Sequence, residues 1–328
     1  MSDAAIEIIQ PGIQSLVQDY PGRRGKLRQG FFPSGAMDYV AIQAANLLVG
    51  NPPSAAGIEI ALGNFSARID ADTVIAACGA EVEVTVDGER VPMWESRAVR
   101  AGAELSVGIA ATTGFRVYIA LAGGIDVPSL FGSRATYTMG ALGGFEGRAL
   151  KAADRLLLGA TDGAAEGRRF REDARPAYAR EWEVEAVVGP QAAPDFLTEE
   201  DVEEFFSREW KIDRNADRTG IRLESHRFQW ARSSGGVAGG HPSNILDNPY
   251  PVGAVNVNGD LPVILGPDGP TAGGFIVPAT VVHAAFWKIG QFRPGGDRLR
   301  FKQVTIDEAA RLEAEWRERL SEDSIEAG

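Results

Sequence analysis

The sequence predicts a mainly β protein made of two β-rich halves with a few short helices. Its apolar runs are short and β-branched or alternating, and glycine, aspartate and proline separate them, which is typical of strands joined by turns. The two halves also open alike, with an acidic strand that meets a proline–glycine pair beside a glutamine, at 7–12 and again at 185–191. This echo alone is weak evidence for two copies of one domain. A chain of 328 residues has room for both.

The first half, residues 1–175, is predicted to contain several strands and one helix. The helix covers 37–49, MDYVAIQAANLLV, where Val40, Ala44 and Leu48 share a face at helical spacing. Gly50 and the prolines at 52–53 end it. The predicted strands are 6–9, 74–77, 82–86, 116–122 and 155–158.

Residues 161–180 are the predicted boundary, because glycine and alternating charge replace apolar periodicity there. The second half, residues 181–305, is predicted to contain a short acidic helix at 198–207, with Thr198 as N-cap and Asp201 at N3. A charged helix at 306–320 opens a C-terminal helix and tail, 306–328. The predicted strands of this half are 182–188, 220–224, 252–257, 261–265, 275–277 and 297–304.

Composition and charge exclude several classes of protein. Hydrophobic content of 44% and charged content of 24% are those of a soluble globular protein. A formal net charge of -12 argues against a general nucleic-acid surface. No apolar stretch is long enough for a membrane helix, and residues 1–7 carry two acids and no basic region of a signal peptide. The protein is therefore predicted to be cytoplasmic, with no membrane partner. The single cysteine, Cys78, lies in an apolar run and is predicted to be a buried core residue rather than a nucleophile.

Several familiar chemistries are missing from the sequence. There is no G-x-x-x-x-G-K-[ST] loop, no G-x-S-x-G and no H-E-x-x-H. The histidines at 226, 241 and 283 are too scattered for a zinc site to be inferred from spacing, so no metal is predicted. A Met-Lys-Met biotin-attachment signature is also missing, so no covalently bound biotin is expected on this chain.

The first candidate cluster lies between residues 18 and 38. Turns fixed by Pro-Gly and Ser-Gly present Gln18, Asp19, Arg23, Ser34 and Asp38. An aspartate near an arginine can anchor a polar substrate or act as a base. The alternative is a structural Arg–Asp pair, with the serine and the second aspartate capping the following helix.

The second candidate cluster consists of glycines near arginines. Gly123-Gly124 follow a strand, and 132–134 and 143–148 repeat the pairing of glycine with arginine. Backbone N–H groups at such glycines can point at an anion, and arginine can bind a carboxylate or carbamate. Tight β-turns use the same residues, so the alternative is purely structural.

The third candidate cluster is the segment 240–275, which is rich in Asn, Asp and Gly and contains one histidine. A histidine can shuttle protons near neutral pH, and asparagines can donate and accept at once, as recognition of an amide or urea requires. Turn formation between strands explains the same residues equally well. The candidates are His241 as proton shuttle, Asn244, Asn256 and Asn258 for amides, Asp247 and Asp268 as bases, and Gly273-Gly274 as an oxyanion site.

Taken together, these segments resemble the allophanate hydrolase subunit 2 / KipA family, also called the biotin-dependent carboxyltransferase family. The resemblance runs in order through about residues 6–304. It implies a pair of cyclophilin-like β-barrel domains. The matching segments are 10–12, 18–19, 22–23, Gly25, 35–38, 45–51, Glu59, 79–80, 122–125, 132–134, 143–144, 147–148, 218–223 and 273–274.

The resemblance also indicates a branch of that family. The standalone 5-oxoprolinase type carries Asp-x-Gln-Thr-Thr-Gly-Gly-Tyr, whereas here 268–275 reads DGPTAGGF. Together with 241–244, 253–256 and 287–291, this is closer to the carboxyltransferase part of urea carboxylase and urea amidolyase. The implied activity is transfer of a carboxyl group from carboxybiotin to a urea-like or amide substrate. The alternatives are a 5-oxoprolinase-type ATP-dependent amidohydrolase subunit, or a non-enzymatic KipA-like regulator.

The resemblance implies partners and roles as well. Carboxybiotin is expected on a separate carrier protein, with a subunit 1/KipI-like chain forming a hetero-oligomer and a biotin carboxylase supplying the carrier. Residue type suggests Asp247 or Asp19 as base with His241 as a further catalytic group, and Arg134 or Arg23 for the carboxylate. The predicted substrate-binding residues are Asn244, Ser243, Arg23, Gln18, Arg134, Gly123, Gly124, Gly273 and Gly274.

Overall fold

The computed structural model describes residues 4–161 and 163–328. Met1, Ser2 and Asp3, part of the acidic N-terminus, and Asp162, part of the predicted boundary, lie outside the described residues.

Strands dominate the described chain. In chain order they are β1 (Ala5–Gln10), β2 (Gln14–Gln18), β3 (Gly57–Ala61), β4 (Gly63–Ile69), β5 (Thr73–Gly79), β6 (Val84–Val86), β7 (Glu89–Val91), β8 (Ser96–Val99), β9 (Glu104–Ile109), β10 (Arg116–Leu121), β11 (Arg155–Leu157), β12 (Arg168–Phe170), β13 (Glu181–Val188), β14 (Trp210–Lys211), β15 (Gly220–Arg222), β16 (Asn244–Pro249), β17 (Ala254–Asn258), β18 (Leu261–Leu265), β19 (Ala272–Phe275), β20 (Ala279–Val281), β21 (Arg298–Gln303) and β22 (Ile325–Ala327). The α-helices are α1 (Tyr39–Leu48), α2 (Glu199–Ser207), α3 (Phe286–Gln291) and α4 (Ile306–Arg319).

The chain divides into two compact units. The first comprises the described residues up to Lys26 and those of Pro33–Tyr178 and Trp316–Gly328, and the second comprises Leu27–Phe32 and Ala179–Glu315. The first unit contains two large antiparallel sheets, with strand orders β11-β1-β4-β9-β6-β7 and β2-β3-β10-β5-β8, and the small pair β12-β22.

The five-stranded sheet of the first unit is buried on both faces. In β10, Val117 and Ile119 face the core shared with the six-stranded sheet, whereas Tyr118 and Ala120 pack against α1. Because side chains alternate across a strand, double burial produces the continuous apolar run that marks this segment in the sequence. Cys78 of β5 lies fully buried on the helix side, which confirms the prediction of a core thiol.

Helix α1 confirms the predicted helix but begins two residues later than predicted, at Tyr39. Asp38 is its N-cap, and one side-chain oxygen accepts the backbone N–H groups of Val40 and Ala41, each at 3.0 Å. The helix is buried along its whole length, which its many alanines allow because they let the neighbouring sheet approach closely.

The second unit is built on a seven-stranded sheet with the order β14-β21-β13-β20-β17-β18-β15 and a separate pair, β16-β19. Strands β13 and β21 run parallel, and the other pairs are antiparallel. Helix α2 has the predicted cap, a full capping box between Thr198 and Asp201. It packs on β21 through the stacked rings of Phe205 and Phe301, whose centroids are 4.8 Å apart.

The prediction of a mainly β protein with a few short helices is confirmed. The strands of the described residues form open sheets, so closure into two cyclophilin-like barrels stays a prediction. The domain limits 1–175, 181–305 and 306–328 also stay predictions. None of the helices in the described chain is long and apolar enough to span a bilayer.

Two details of the sequence prediction are corrected. The segment 244–249 is not among the predicted strands but forms β16, which pairs with β19. The strand predicted at 275–277 ends at Phe275, because β19 covers Ala272–Phe275 and the chain leaves the pair beyond it.

Candidate functional site

A buried carboxylate lies just after the end of β2. The Asp19 side chain accepts the Ser133 hydroxyl at 2.8 Å on one oxygen and the backbone N–H of Arg134 at 2.6 Å on the other. Two parts of the chain that lie more than a hundred residues apart therefore meet at this carboxylate. The surrounding polar groups form the Asp19 cluster: Gln18, Asp19, Arg23, Ser34 and the segment 133–136.

Burial controls the protonation of Asp19. The side chain is 6% exposed, and loss of hydration raises the pKa of its carboxyl above the ordinary 3.8. Hydrogen bonds from Arg134 and Ser133, and the positive charges of Arg23 and Arg134, lower that pKa without cancelling the effect of burial. A carboxylate with a raised pKa is a better proton acceptor than one exposed to water.

Gln18 and Arg23 bind the same segment on either side of Asp19. The Gln18 side-chain nitrogen donates to the Thr136 carbonyl oxygen at 3.1 Å, and the Arg23 guanidinium donates to the Ala135 carbonyl oxygen. Gln18 is fully buried and Arg23 is 1% exposed. A guanidinium does not lose its proton in proteins, so Arg23 places a fixed positive charge inside the cluster.

The predicted glycine pair at 143–144 joins this cluster through close packing. A Cβ at Gly143 would overlap the Arg23 guanidinium, and a Cβ at Gly144 would overlap the Thr136 hydroxyl. Both glycines have positive φ. Only glycine fits here, because any side chain would displace the arginine or the threonine.

The loop 33–38 is fixed against Asp19 by a buried polar chain. The Ala36 N–H donates to the Asp19 carbonyl oxygen at 2.9 Å. The Asp38 N–H donates to the Tyr118 hydroxyl at 2.7 Å, and that hydroxyl donates to Glu59 at 2.7 Å. The Arg–Asp pairing and helix capping expected as the structural alternative for this motif are thus partly present, since Asp38 caps α1.

Other predicted anion binders are already occupied. The N–H of Gly123 donates to Asn51 at 2.8 Å and that of Gly124 donates to Leu121 at 2.9 Å, so the structure does not support their predicted contact with an anion. The guanidinium of Arg134 donates to the Val127 carbonyl oxygen and pairs with Asp126 at 3.2 Å. Arg134 donates its backbone N–H to Asp19, whereas its guanidinium acts on Asp19 through its charge.

In the second unit, His241, Ser243 and Asn244 are in mutual contact. The His241 Nδ1 lies 2.9 Å from the Ser243 hydroxyl oxygen and accepts the Ser243 backbone N–H at 3.1 Å. The Ser243 hydroxyl also accepts the Gly259 N–H at 3.0 Å and lies 3.5 Å from the Asn244 side-chain oxygen. Because Nδ1 is an acceptor here, the neutral imidazole carries its proton on Nε2 and presents a donor.

The β16–β19 pair contains Asp247 and the predicted glycine pair 273–274, whereas Asn256 and Asn258 lie on β17. Asp247 is exposed on β16, and among the described residues its carboxylate accepts no hydrogen bond. Gly273 lies opposite Asn248, and a Cβ there would approach the Tyr250 ring to 2.7 Å. The Tyr250 hydroxyl exchanges hydrogen bonds with the backbone N–H and carbonyl of Phe275, at 2.8 and 2.9 Å.

Asp268, expected as an alternative base, has a structural role instead. The Arg218 guanidinium donates to its two oxygens at 2.8 and 3.3 Å, and both side chains are almost fully buried. Both oxygens of this buried carboxylate are therefore engaged by a guanidinium of the same fold. The expectation of a base at this position is not supported.

Sequence reasoning missed two residues of these sites. Ser133 lies inside a recognised Gly-Ser-Arg motif, but its partner is 114 residues away, so no local signal marks it. Tyr250 lies between two prolines, and no motif marks it either.

Open cavities of about 350 and 320 Å³ in the first unit are lined by none of the predicted site residues. Among residues 4–161 and 163–328, no cluster of His, Cys, Asp and Glu could hold a metal ion.

Comparison with known proteins decides the family. The model described as carboxyltransferase domain, subdomain A and B, matches residues 29–303, most of the chain. The chain belongs to this carboxyltransferase family. The matched range includes Ser133, Arg134 and the predicted residues of the second unit, whereas Gln18, Asp19 and Arg23 precede it.

Relatives of this carboxyltransferase chain include enzymes of two kinds. Urea amidolyase of Saccharomyces cerevisiae is 40% identical over 314 residues, which are 94% of this chain and 17% of the relative. A 5-oxoprolinase subunit of Escherichia coli is 30% identical over 306 residues, which are 93% of both chains. The chain is therefore homologous to components of enzymes, as predicted, and it spans less than a fifth of the urea amidolyase.

Solved structures show the same likeness. The urea amidolyase of K. lactis matches with a TM-score of 0.94 and 38% identity over 99% of this chain and 20% of that chain. The Kluyveromyces lactis urea carboxylase matches with a TM-score of 0.93 over 99% of this chain and 29% of that chain. The predicted resemblance to the carboxyltransferase part of these enzymes is confirmed.

Proposed function

We propose that this carboxyltransferase chain transfers a carboxyl group from carboxybiotin, on a separate carrier protein, to a nitrogen of urea or a similar amide. The observation that carries the proposal is the buried Asp19 carboxylate, because burial raises its pKa. The chain that holds this carboxylate is 38–40% identical in sequence to urea amidolyases. Buried carboxylates of this kind take a proton from a weak acid in a site that excludes water.

The proposed role of Asp19 is to remove a proton from the substrate nitrogen. That nitrogen forms a new C–N bond to the carboxyl carbon as the C–N bond to the biotin nitrogen breaks, and the proton leaves by way of Asp19 to the departing nitrogen. No electron is gained or lost overall. Asp19 is preferred to Asp247, the other predicted base, because the carboxylate of Asp247 is exposed and accepts no hydrogen bond from the described chain.

The Asp19 cluster offers the carboxyl group of carboxybiotin a fixed positive charge. Biotin, when bound, supplies an activated carboxyl group attached to a ureido nitrogen. Arg23 is 1% exposed, and its permanent charge would stabilise that carboxylate. Arg134, the other predicted carboxylate binder, has its guanidinium on Asp126 and is the less suitable candidate.

In the second unit, His241 and Asn244 are proposed to contact an amide or ureido group. The Nδ1 of His241 is an acceptor for Ser243, so the free Nε2–H would donate to a carbonyl oxygen. This makes His241 a donor rather than the proton shuttle expected from its residue type. Ser243 is proposed to orient the imidazole, since its backbone N–H and hydroxyl both reach that ring.

A 5-oxoprolinase-type activity is the second candidate. It is favoured by one observation: the 5-oxoprolinase relative matches along 93% of both chains, whereas the urea amidolyase match covers only 17% of that relative. The sequence DGPTAGGF at 268–275 and the higher identity favour the urea-like substrate. For either activity we propose a subunit 1/KipI-like partner chain.

The experiment is a reconstitution of the complete reaction. The chain is co-expressed with its partner and supplied with a biotinylated carrier, biotin carboxylase and bicarbonate, and ATP hydrolysis is followed with urea, acetamide or 5-oxoproline. The proposal predicts stimulation by urea or the simple amide. Stimulation by 5-oxoproline alone would assign the chain to the second candidate.

A further inference from the structure

Gln18 presents a buried oxygen that is not used within the fold. Its side-chain nitrogen donates to the Thr136 carbonyl oxygen at 3.1 Å, which fixes the orientation of the amide. The other end of that amide, Oε1, is buried and accepts no hydrogen bond from the described residues. Buried polar atoms are normally paired, so an orphaned carbonyl indicates a missing donor.

Ser34 presents a second unused group in the same loop set. Its hydroxyl is buried and has no hydrogen-bond partner among the described residues. Its backbone has a φ of 51°, a left-handed conformation that serine seldom adopts. Strained backbone conformations cluster at active sites and ligand clamps, so a strained residue with an unsatisfied buried hydroxyl is a candidate ligand contact.

Chain adjacency and backbone contacts bring both residues close to Asp19. Gln18 precedes Asp19 directly, and Ala36, two residues after Ser34, donates its N–H to the Asp19 carbonyl oxygen at 2.9 Å. Gly22 is packed against the Ser34 carbonyl so closely that a Cβ would lie 2.9 Å from it. One orphaned acceptor and one orphaned hydroxyl therefore lie in the loops that adjoin the proposed base.

We propose that Gln18 and Ser34 recognise a ureido group, with Gln18 Oε1 accepting its N–H and the Ser34 hydroxyl donating to its carbonyl oxygen. This inference rests on the proposed function and specifies the ligand group of that site. An N–H beside a carbonyl is the complement of these two side chains, and a carboxylate or phosphate is not, because it would bring an acceptor to Gln18. Two ligands offer the group: a urea-like substrate and the ureido ring of biotin.

Equilibrium binding to the whole chain tests the assignment without turnover. Ligand-observed NMR measures the affinity of urea against tetramethylurea, and of 2-imidazolidone, which mimics the biotin ring, against its N,N′-dimethyl derivative. Urea is kept below about 0.2 M, where it destabilises proteins little. The wild-type chain is expected to bind at least one N–H probe about tenfold more tightly than its methylated partner, since methylation leaves the Gln18 oxygen unpaired.

The Gln18 and Ser34 variants have different expected effects on probe binding. Gln18→Met removes the acceptor and is expected to reduce the N–H preference to about one. Ser34→Ala removes the donor to the carbonyl and is expected to weaken methylated and unmethylated probes by the same factor, about three- to tenfold. Ser34→Gly loses the same hydroxyl but relieves the backbone strain, so equal weakening in both serine variants shows that the hydroxyl is responsible. Gln303→Met, at an exposed glutamine of β21, is the control and should bind as wild type.

The outcomes distinguish a urea-like substrate from biotin, and they distinguish the ureido-binding inference from the proposed reaction. A preference within the urea pair assigns the group to the substrate, and one confined to the imidazolidone pair assigns it to biotin. No preference in the wild-type chain, or an undiminished one in Gln18→Met, overturns the inference. If Gln18→Met does not fold, the wild-type ratio and the two serine variants decide. A retained N–H preference without carboxylation of urea in the reconstituted system would count against the proposed reaction alone.

Discussion

At the scale of residues, the proposed proton transfer depends on the effects that set the pKa of Asp19. Burial opposes the charged form, while two hydrogen bonds and two arginine charges favour it, and burial is the largest effect. The carboxyl is thereby held in place and kept basic at the same time. The pH dependence of activity and of stability should therefore both report the protonation of Asp19.

The acidic limb of the pH–rate profile is the first prediction. Asp19 must be ionised to accept a proton, so kcat/KM for urea should rise with pH through an apparent pKa above 3.8. Arg23→Met removes a positive charge that lowers the pKa of Asp19, and it should move this limb to higher pH. A limb that stays in place in Arg23→Met would show that the titrating group is not Asp19.

Stability should respond to Asp19 in the opposite sense to activity. Because the folded-state pKa is raised, the stabilising contribution of Asp19 is complete below the unfolded pKa and is lost as pH rises through the folded value. Asp19→Asn should therefore unfold at neutral pH with a free energy no lower than that of wild type. Denaturant titrations at several pH values measure this. A large loss of stability at neutral pH in Asp19→Asn would contradict the assignment of a raised pKa.

The sequence predicted the residues of this site better than their contacts. Gln18, Asp19 and Arg23 lie in one short motif, and turn chemistry was enough to identify them. Their partners Ser133 and Ala135 come from a distant segment, and such pairing is set by the fold rather than by local spacing. For the same reason the sequence suggests a base at Asp268, whose partner Arg218 lies fifty residues away.

At the scale of elements, local signals predicted α1, α2 and α4 but missed the short α3, and they predicted strands unevenly. The caps at Asp38 and Thr198 act within one helical turn, so the sequence alone located them. Strands β3, β4 and β9 were missed, because what defines them is burial against neighbouring strands and not intrinsic propensity.

The Asp38 cap should be worth more than an ordinary one. Its side chain accepts two backbone N–H groups of α1 and the Tyr178 hydroxyl at 2.9 Å, and it is fully buried. Asp38→Ala should lower the free energy of unfolding by about 2 kcal/mol or more, against about 1 kcal/mol for the exposed-helix cap variant Thr198→Ala. Chemical denaturation of both variants gives the comparison. Equal losses would mean that the buried contacts of Asp38 add nothing.

At the scale of the whole molecule, the chain corresponds to only part of its larger relatives. It spans 17% of the urea amidolyase relative, and no biotin-attachment motif is present in its sequence. Free urea is a weak nucleophile, so the proposed reaction requires an activated carboxyl group delivered from elsewhere.

We therefore expect the chain alone to produce no carboxylated urea from bicarbonate and ATP. Adding only a biotin carboxylase should change nothing, whereas adding the biotinylated carrier as well should start the reaction. Product formation is followed by incorporation of labelled bicarbonate. Turnover without the carrier would show that the carboxyl group reaches the site by another route.

The most direct test of the central claim compares Asp19→Asn with Asp247→Asn in the reconstituted system. Urea-dependent turnover is measured for both at neutral pH, with thermal unfolding to show that each is folded. Asp19→Asn should lose about a hundredfold or more of kcat, the usual contribution of a positioned base, while Asp247→Asn should stay within a few-fold of wild type. A folded Asp19→Asn variant that keeps wild-type turnover, or a comparable loss in Asp247→Asn alone, would contradict the account.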